Sequence, residues 1–190
     1  MVISQLFFGL GWARAAAAKV ISIDWWTGAT IDHFVADHET VTVGWASWLA
    51  QTAAANTVIV ALMVLLAQLF IAGSFLTNRA LGSALAVAAA LNLTFLAIGA
   101  VDPSAFYLFG QGVMALWLVG RRPPSAPLSR MLRFAVAASV ALAAISIPSI
   151  ATIHPVEVIH DPAVMVAFIS GLAAVSLELT HRAVFGYSLP

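Results

Sequence analysis

The chain is built from runs of about twenty apolar residues, the length an α-helix needs to cross the hydrocarbon core of a bilayer. Six such runs occur, at residues 3–22, 55–77, 80–101, 104–120, 131–153 and 162–180. A backbone in lipid must satisfy its own hydrogen bonds, so runs of this kind fold as helices. Composition agrees: 62% of the 190 residues are hydrophobic and 8% are charged, against about 45–50% apolar and about 25% charged in soluble domains. A water-soluble domain and a disordered chain are both excluded. The expected fold is an all-α polytopic membrane protein of about six transmembrane helices, one membrane domain over residues 1–190. The first run is expected to be a span and not a cleavable signal peptide. It has no charged leading region and carries Arg14 and Lys19 within it.

The connections sort the charges. Residues 23–54 form the longest loop, Thr77 to Arg79 a tight turn, and Asp102 with Pro103 a break. Residues 121–130 form a proline-containing polar linker, and residues 154–162 form the last loop, edged by Pro155 and Pro162. Alternation across the bilayer places Arg79, Arg121, Arg122, Arg130, Arg133 and Arg182 on one side. Asp24, Asp32, Asp37, Glu39, Asp102, Glu157 and Asp161 fall on the other, and only Glu178 joins the basic side. Basic residues concentrate in cytoplasmic loops, so both termini are expected in the cytoplasm and the protein in the cytoplasmic (inner) membrane. The formal net charge of +0 leaves no basic surface for nucleic acid. The absence of cysteine removes disulfides, thiolate metal ligands and thiol nucleophiles together.

Few residues within the spans can carry chemistry. Arg14 is the foremost, because a charge inside a span costs about 2.5–3.5 kcal/mol on insertion scales and marks a functional site by default. Its partner is a ligand, a polar group, another subunit, or an acid from the outer loops such as Asp24 or Asp102. Lys19 lies nearer the outer end and can reach water. Gln68, Asn92, Thr94 and Gln111 form the neutral polar set inside the bilayer, read singly as interhelical hydrogen bonds. Trp25, Trp26, Trp45 and Trp48 bracket the 23–54 loop, either as an aromatic belt or, for Trp25 and Trp26, as walls of a shallow pocket for a flat ring. Residues 41–50 have the composition of a segment lying in the interface. His33, His38, His154 and His160 fall on the outer side in spacings that match no metal motif, so no haem or metal is expected and solvated histidines are. Glu178, His181 and Arg182 read as a local ion pair finishing the last helix. Small residues in the third and fifth spans, Ala84, Ala88 and Ala135 to Ala144 among them, suit close helix packing. Pro148, between Ser146 and Ser149, is expected to kink the fifth span. No internal repeat is present, which argues against an inverted-repeat transporter.

Residues 7–26, FFGLGWARAAAAKVISIDWW, resemble the first helix of DoxX/DoxD-type membrane proteins. Residues 65–82, LLAQLFIAGSFLTNRALG, resemble that family's second helix, and residues 99–120, GAVDPSAFYLFGQGVMALWLVG, its fourth. The resemblance covers roughly residues 5–121 and places Trp12, Lys19, Trp25, Trp26 and Arg79 at motif positions. It implies a four-helix membrane bundle over residues 1–121, with residues 131–190 adding two C-terminal spans. Gln68 stands where an acidic residue is common in the family. DoxD-like members are the small subunit of thiosulfate:quinone oxidoreductase, so the resemblance implies a membrane subunit of a respiratory-type oxidoreductase that handles membrane quinone near the outer leaflet. Trp12, Arg14, Lys19, Trp25 and Trp26 are then the candidate ligands to the quinone. Electrons would come from a partner subunit or a bound cofactor. The alternative is a non-catalytic anchor or assembly subunit, with the bilayer and other subunits as its partners.

Overall fold

The computed structural model describes residues 2–152, 154 and 156–186. Ile153, the expected end of the fifth span, and Pro155, an expected loop edge, lie outside the described residues. The described chain is all-helical: α1 (Val2–Val20), α2 (Ile23–Thr27), α3 (Ala29–Asp37), α4 (Ser47–Ala55), α5 (Thr57–Thr77), α6 (Leu81–Ile98), α7 (Val101–Gly120), α8 (Ala126–Ser146) and α9 (Pro162–Phe185). Five of these, α5 to α9, are long and apolar enough to cross a membrane, α8 together with its following turn to Ser149. Helix α1, at 19 residues, is long enough but less apolar, because Gln5, Arg14 and Lys19 interrupt it.

The helices pack in the order α1, α5, α6, α7, α9, α8, with α9 also touching α6. The central core joins the first four: Phe8 and Trp12 of α1, Ile71, Ala72 and Phe75 of α5, Ala84, Leu85 and Ala88 of α6, and Met114 of α7. Alanines bring α6 close to its neighbours, as small residues do inside membranes. Helix α8 buries little and is held chiefly by α9. A second cluster, Val43, Ala46, Leu96, Ala97, Val101, Ala163 and Val166, seats α9 against the opposite end of α6.

Helix α1 runs antiparallel to α5 along its length. Near one end Gln5 Nε2 donates to Asn78 Oδ1 at 2.8 Å. At the other, Trp25 Nε1, just past α1, donates to the Ala61 carbonyl at 3.1 Å. The first end also holds Arg79, with Arg122 beside Gly82 and Ser129 bonded to His181 at 2.8 Å. The second holds Asp102, 3.4 Å from His160, and Asp161. The bundle therefore has a basic end and an acidic end, and α1 begins and α9 finishes at the basic one.

Several boundaries differ from the sequence expectation for local reasons. The break between α6 and α7 falls at Gly99 and Ala100, where Gly99 has φ +133 and a Cβ would meet His38 and Val41. Pro103 sits inside the first turn of α7, where a missing N–H goes unnoticed because first-turn donors have no helical partner. The polar linker is shorter than residues 121–130, since the Ser125 side chain accepts from Leu128 N at 3.4 Å and starts α8 at Ala126. Helix α9 continues to Phe185, past the expected 180.

Pro148 ends α8 and does not kink it. Ser146 Oγ donates to the Leu142 carbonyl at 2.8 Å and accepts from Trp45 Nε1 at 2.9 Å, while Ser149 Oγ accepts from Gly44 N at 3.2 Å. These bonds hold residues 41–50 within the protein, with Val43 and Ala46 fully buried. That segment is part of the packed acidic end, with Val41 and Trp48 left exposed.

Gly110 lets α7 meet α1, because a Cβ there would overlap the Phe8 ring. Replacing Gly110→Ala is expected to cost about 1–3 kcal/mol through overpacking. Thermal unfolding in detergent should show a lower midpoint, and Phe8→Leu in the same chain should restore part of it.

Candidate functional site

A cleft of about 390 Å³ opens between α1, α3, α6 and the start of α7. Its aromatic walls are Trp12, Trp25, Phe34, Phe95 and Tyr107, and its polar groups include Lys19, Thr30, Asn92 and Ser104. Trp12, Ala15 and Lys19 reach it from one face of α1, at the three- and four-residue spacing that stacks side chains along a helix. The small side chains of Ala15 and Ala100 leave the space open.

Each wall is held from behind. The Trp25 ring is buried by Ile31, Ala61 and Val64, and the Lys19 ammonium lies 4.6 Å from its centroid, a cation–π contact. Tyr107 packs edge-on against Trp12 at 5.3 Å and Phe8 at 5.4 Å. Its hydroxyl rests on Gly11, where any Cβ would displace it. Asn92 Nδ2 donates to the Ala88 carbonyl at 2.8 Å and to Gln111 Oε1 at 3.4 Å.

Two donors associated with this wall have no acceptor among the described residues. Trp12 is 4% exposed and its indole Nε1 makes no hydrogen bond; Gln111, behind Asn92, is 2% exposed and its Nε2 makes none. Buried polar atoms are nearly always paired, so unpaired donors mark where an acceptor belongs. Among the described residues Lys19 supplies the only charge on the lining, and no carboxylate lines the cleft. The arrangement suits a flat, acceptor-rich ring with little negative charge to balance.

The sequence candidates divide accordingly. Trp12, Lys19, Trp25 and Asn92 meet in the cleft, and Gln111 supports it. Arg14 does not line it and is exposed on another face of α1. Trp26 is 47% exposed and its Nε1 donates to the Val20 carbonyl at 2.9 Å, closing the end of α1. Gln68 is buried at 3% exposure with Oε1 unpaired, but it is not on the lining. Thr94 returns its hydroxyl to the Ala90 carbonyl at 2.9 Å. Arg182 Nε meets Glu178 Oε1 at 2.6 Å, the expected local pair.

Sequence reasoning missed Tyr107, Ser104, Phe34 and Phe95. Tyr107 carried a signal, being one of 2 tyrosines and lying within an apolar run. The phenylalanines carried none, because nothing local distinguishes a cleft wall from a packed core. Of the histidines, His38 Nδ1 lies 2.7 Å from the Phe34 carbonyl and His160 faces Asp102. Among the described residues, no three His, Asp or Glu side chains group closely enough to hold a metal ion.

Two other cavities are less suited to a ligand of the bilayer. One of about 430 Å³, lined by Asp32, Glu39, Thr42, Ser47 and Gln51 among others, lies at the surface between α3 and α4, and both carboxylates are exposed. Another of about 240 Å³ between α7 and α9 is almost wholly apolar. No protein-family model matches the chain, and no curated protein and no solved structure matches it.

Replacing Trp25→Phe keeps an aromatic ring beneath Lys19 but removes the bond to Ala61. The expected loss is about 1 kcal/mol, the usual net value of one hydrogen bond. It should be read as a lower unfolding midpoint in detergent with unchanged helix content.

Proposed function

We propose that this protein is a membrane subunit of a respiratory-type complex that binds quinone in the Trp12–Lys19–Trp25 cleft. The observation that carries the reading is an aromatic-walled cleft near the acidic end of the bundle whose lining includes both Lys19 and Trp12, the buried indole N–H of Trp12 having no partner among the described residues. A quinone offers a flat ring and two carbonyl acceptors with no donor. Its ring would lie against Tyr107 and Trp25, one carbonyl would take the Lys19 and Trp12 donors, and its apolar tail would leave toward lipid. The DoxX/DoxD resemblance of residues 5–121 supports the same reading.

The placement proposed with it is six spans, with α1 as the first, in the cytoplasmic membrane. The α1–α5 pairing gives α1 the same extent as a strongly apolar helix, and the positive-inside rule puts the basic end, and so both termini, in the cytoplasm. The cleft then opens near the outer leaflet. The second reading, a non-catalytic anchor or assembly subunit, draws support from exposed Arg14, which the cleft leaves unused.

Binding of a short-chain quinone to the purified chain in nanodiscs tests the cleft. Trp12→Phe and Lys19→Met should each weaken it about 5- to 10-fold, the loss of one hydrogen bond of about 1–1.4 kcal/mol. Trp26→Phe should leave it within about twofold. Unchanged affinity in both cleft variants removes the quinone reading.

Alkaline phosphatase fusions test the topology. Fusions joined after Gly28 and Val158 should be active, and those after Arg79 and Pro123 inactive. Reversal of that pattern would turn the protein over in the membrane.

A further inference from the structure

Arg14 is left without a counter-charge. Among the described residues it makes no ion pair, hydrogen bond or ring contact. Its charge reaches the Tyr107 hydroxyl, a group that cannot balance it. Every acid of the chain sits at one end or the other: Asp24, Asp32, Asp37, Glu39, Asp102, Glu157 and Asp161 at the acidic end, and Glu178 with Arg182 at the basic end.

Depth makes this costly. At 1.5 Å per residue, Arg14 lies about 18 Å from Val2 and about 9 Å from Val20 along α1. Its Cα–Cβ bond tilts toward the helix N-terminus, away from the nearer surface. Reaching the outer headgroups therefore runs against the direction in which the side chain leaves the helix.

The surface around it is that of a helix seam. Ile3, Phe7, Leu10, Arg14 and Ala17 follow one another at alternating four- and three-residue steps, and the first three are 83%, 56% and 60% exposed. That spacing is the a/d pattern by which one helix packs along another, and a single polar residue within it selects partner and register. A second copy of this chain does not fit. Two copies share one orientation in the membrane, so a symmetric α1–α1 contact sets Arg14 against Arg14. A second copy also brings no carboxylate at this depth. We propose that the outer face of α1 docks a membrane-spanning helix of a different protein, one carrying an aspartate or glutamate at the depth of Arg14. The planar guanidinium accepts such a carboxylate through two parallel hydrogen bonds. This rests on the membrane placement of α1 proposed above and not on quinone binding.

A defined probe tests it. The purified chain is reconstituted in phosphatidylcholine liposomes at pH 8 with a synthetic leucine–alanine transmembrane peptide bearing one aspartate, or its asparagine twin. Because the chain has no cysteine, Ser4→Cys carries a unique label for energy transfer to the peptide. The aspartate peptide should bind at least tenfold more tightly than the asparagine twin. Arg14→Gln should abolish that preference, and Arg14→Lys should retain part of it. Equal binding of the two peptides overturns the proposal. So does a preference erased by adding phosphatidylglycerol, which would assign Arg14 to a lipid phosphate, or Arg14-dependent energy transfer between two labelled copies, which would assign it to self-association. Quinone affinity measured in the same liposomes should not change in Arg14→Gln, so failure of the cleft and failure of this surface are told apart.

Discussion

The antiparallel seat of α1 on α5 is the contact on which the rest of the molecule depends. Gln5 and Asn78 pin it near one end, and the Trp25 indole on the Ala61 carbonyl pins it at the other. Between them Gly9 brings α1 onto Phe75 and Leu76, where a Cβ would stand 3.0–3.1 Å from their side chains. With both ends held, the rotation of α1 is set. Trp12 and Lys19 then face the cleft, and Arg14 faces outward. Turning α1 by nearly half a turn would exchange these roles.

The acidic end shows a second economy of polar groups. An irregular loop at this end would leave backbone donors and acceptors unpaired, which is costly near lipid. Residues 23–54 instead fold into three short helices, and Gly28, at φ +81, lets the turn between α2 and α3 press on Thr57 at the start of α5. Asp161 accepts from Ala151, Thr152, Ala163 and Val164, tying the last loop to the first turn of α9. This packed cap gives the cleft its walls at the acidic end, Thr30, Ile31 and Phe34.

Much of the fold was legible in the chain. Periodic apolar length revealed the long helices, and the distribution of arginine and carboxylate foretold two oppositely charged ends. Boundaries were less legible because proline is ambiguous: Pro103 starts a helix and Pro148 stops one, according to whether the neighbouring N–H groups already have partners. The site was half visible. Trp12, Lys19, Trp25 and Asn92 could be named as polar or aromatic exceptions in apolar runs, whereas Phe34 and Phe95 could not, since they are ordinary apolar residues until the helices are assembled.

What the sequence determined by itself is what depends on one segment at a time: helical state, apolar length, and the end of the bundle to which each charge belongs. These follow from hydrogen-bond satisfaction and transfer free energy, both local properties of a run of residues. The facing of α1 was decided only by tertiary structure, because it depends on glycines meeting side chains from other helices: Gly9 with Phe75, Gly11 with Tyr107, and Phe8 with Gly110. That facing separates Lys19, drawn over Trp25, from Arg14, five residues away and turned outward with no acid beside it.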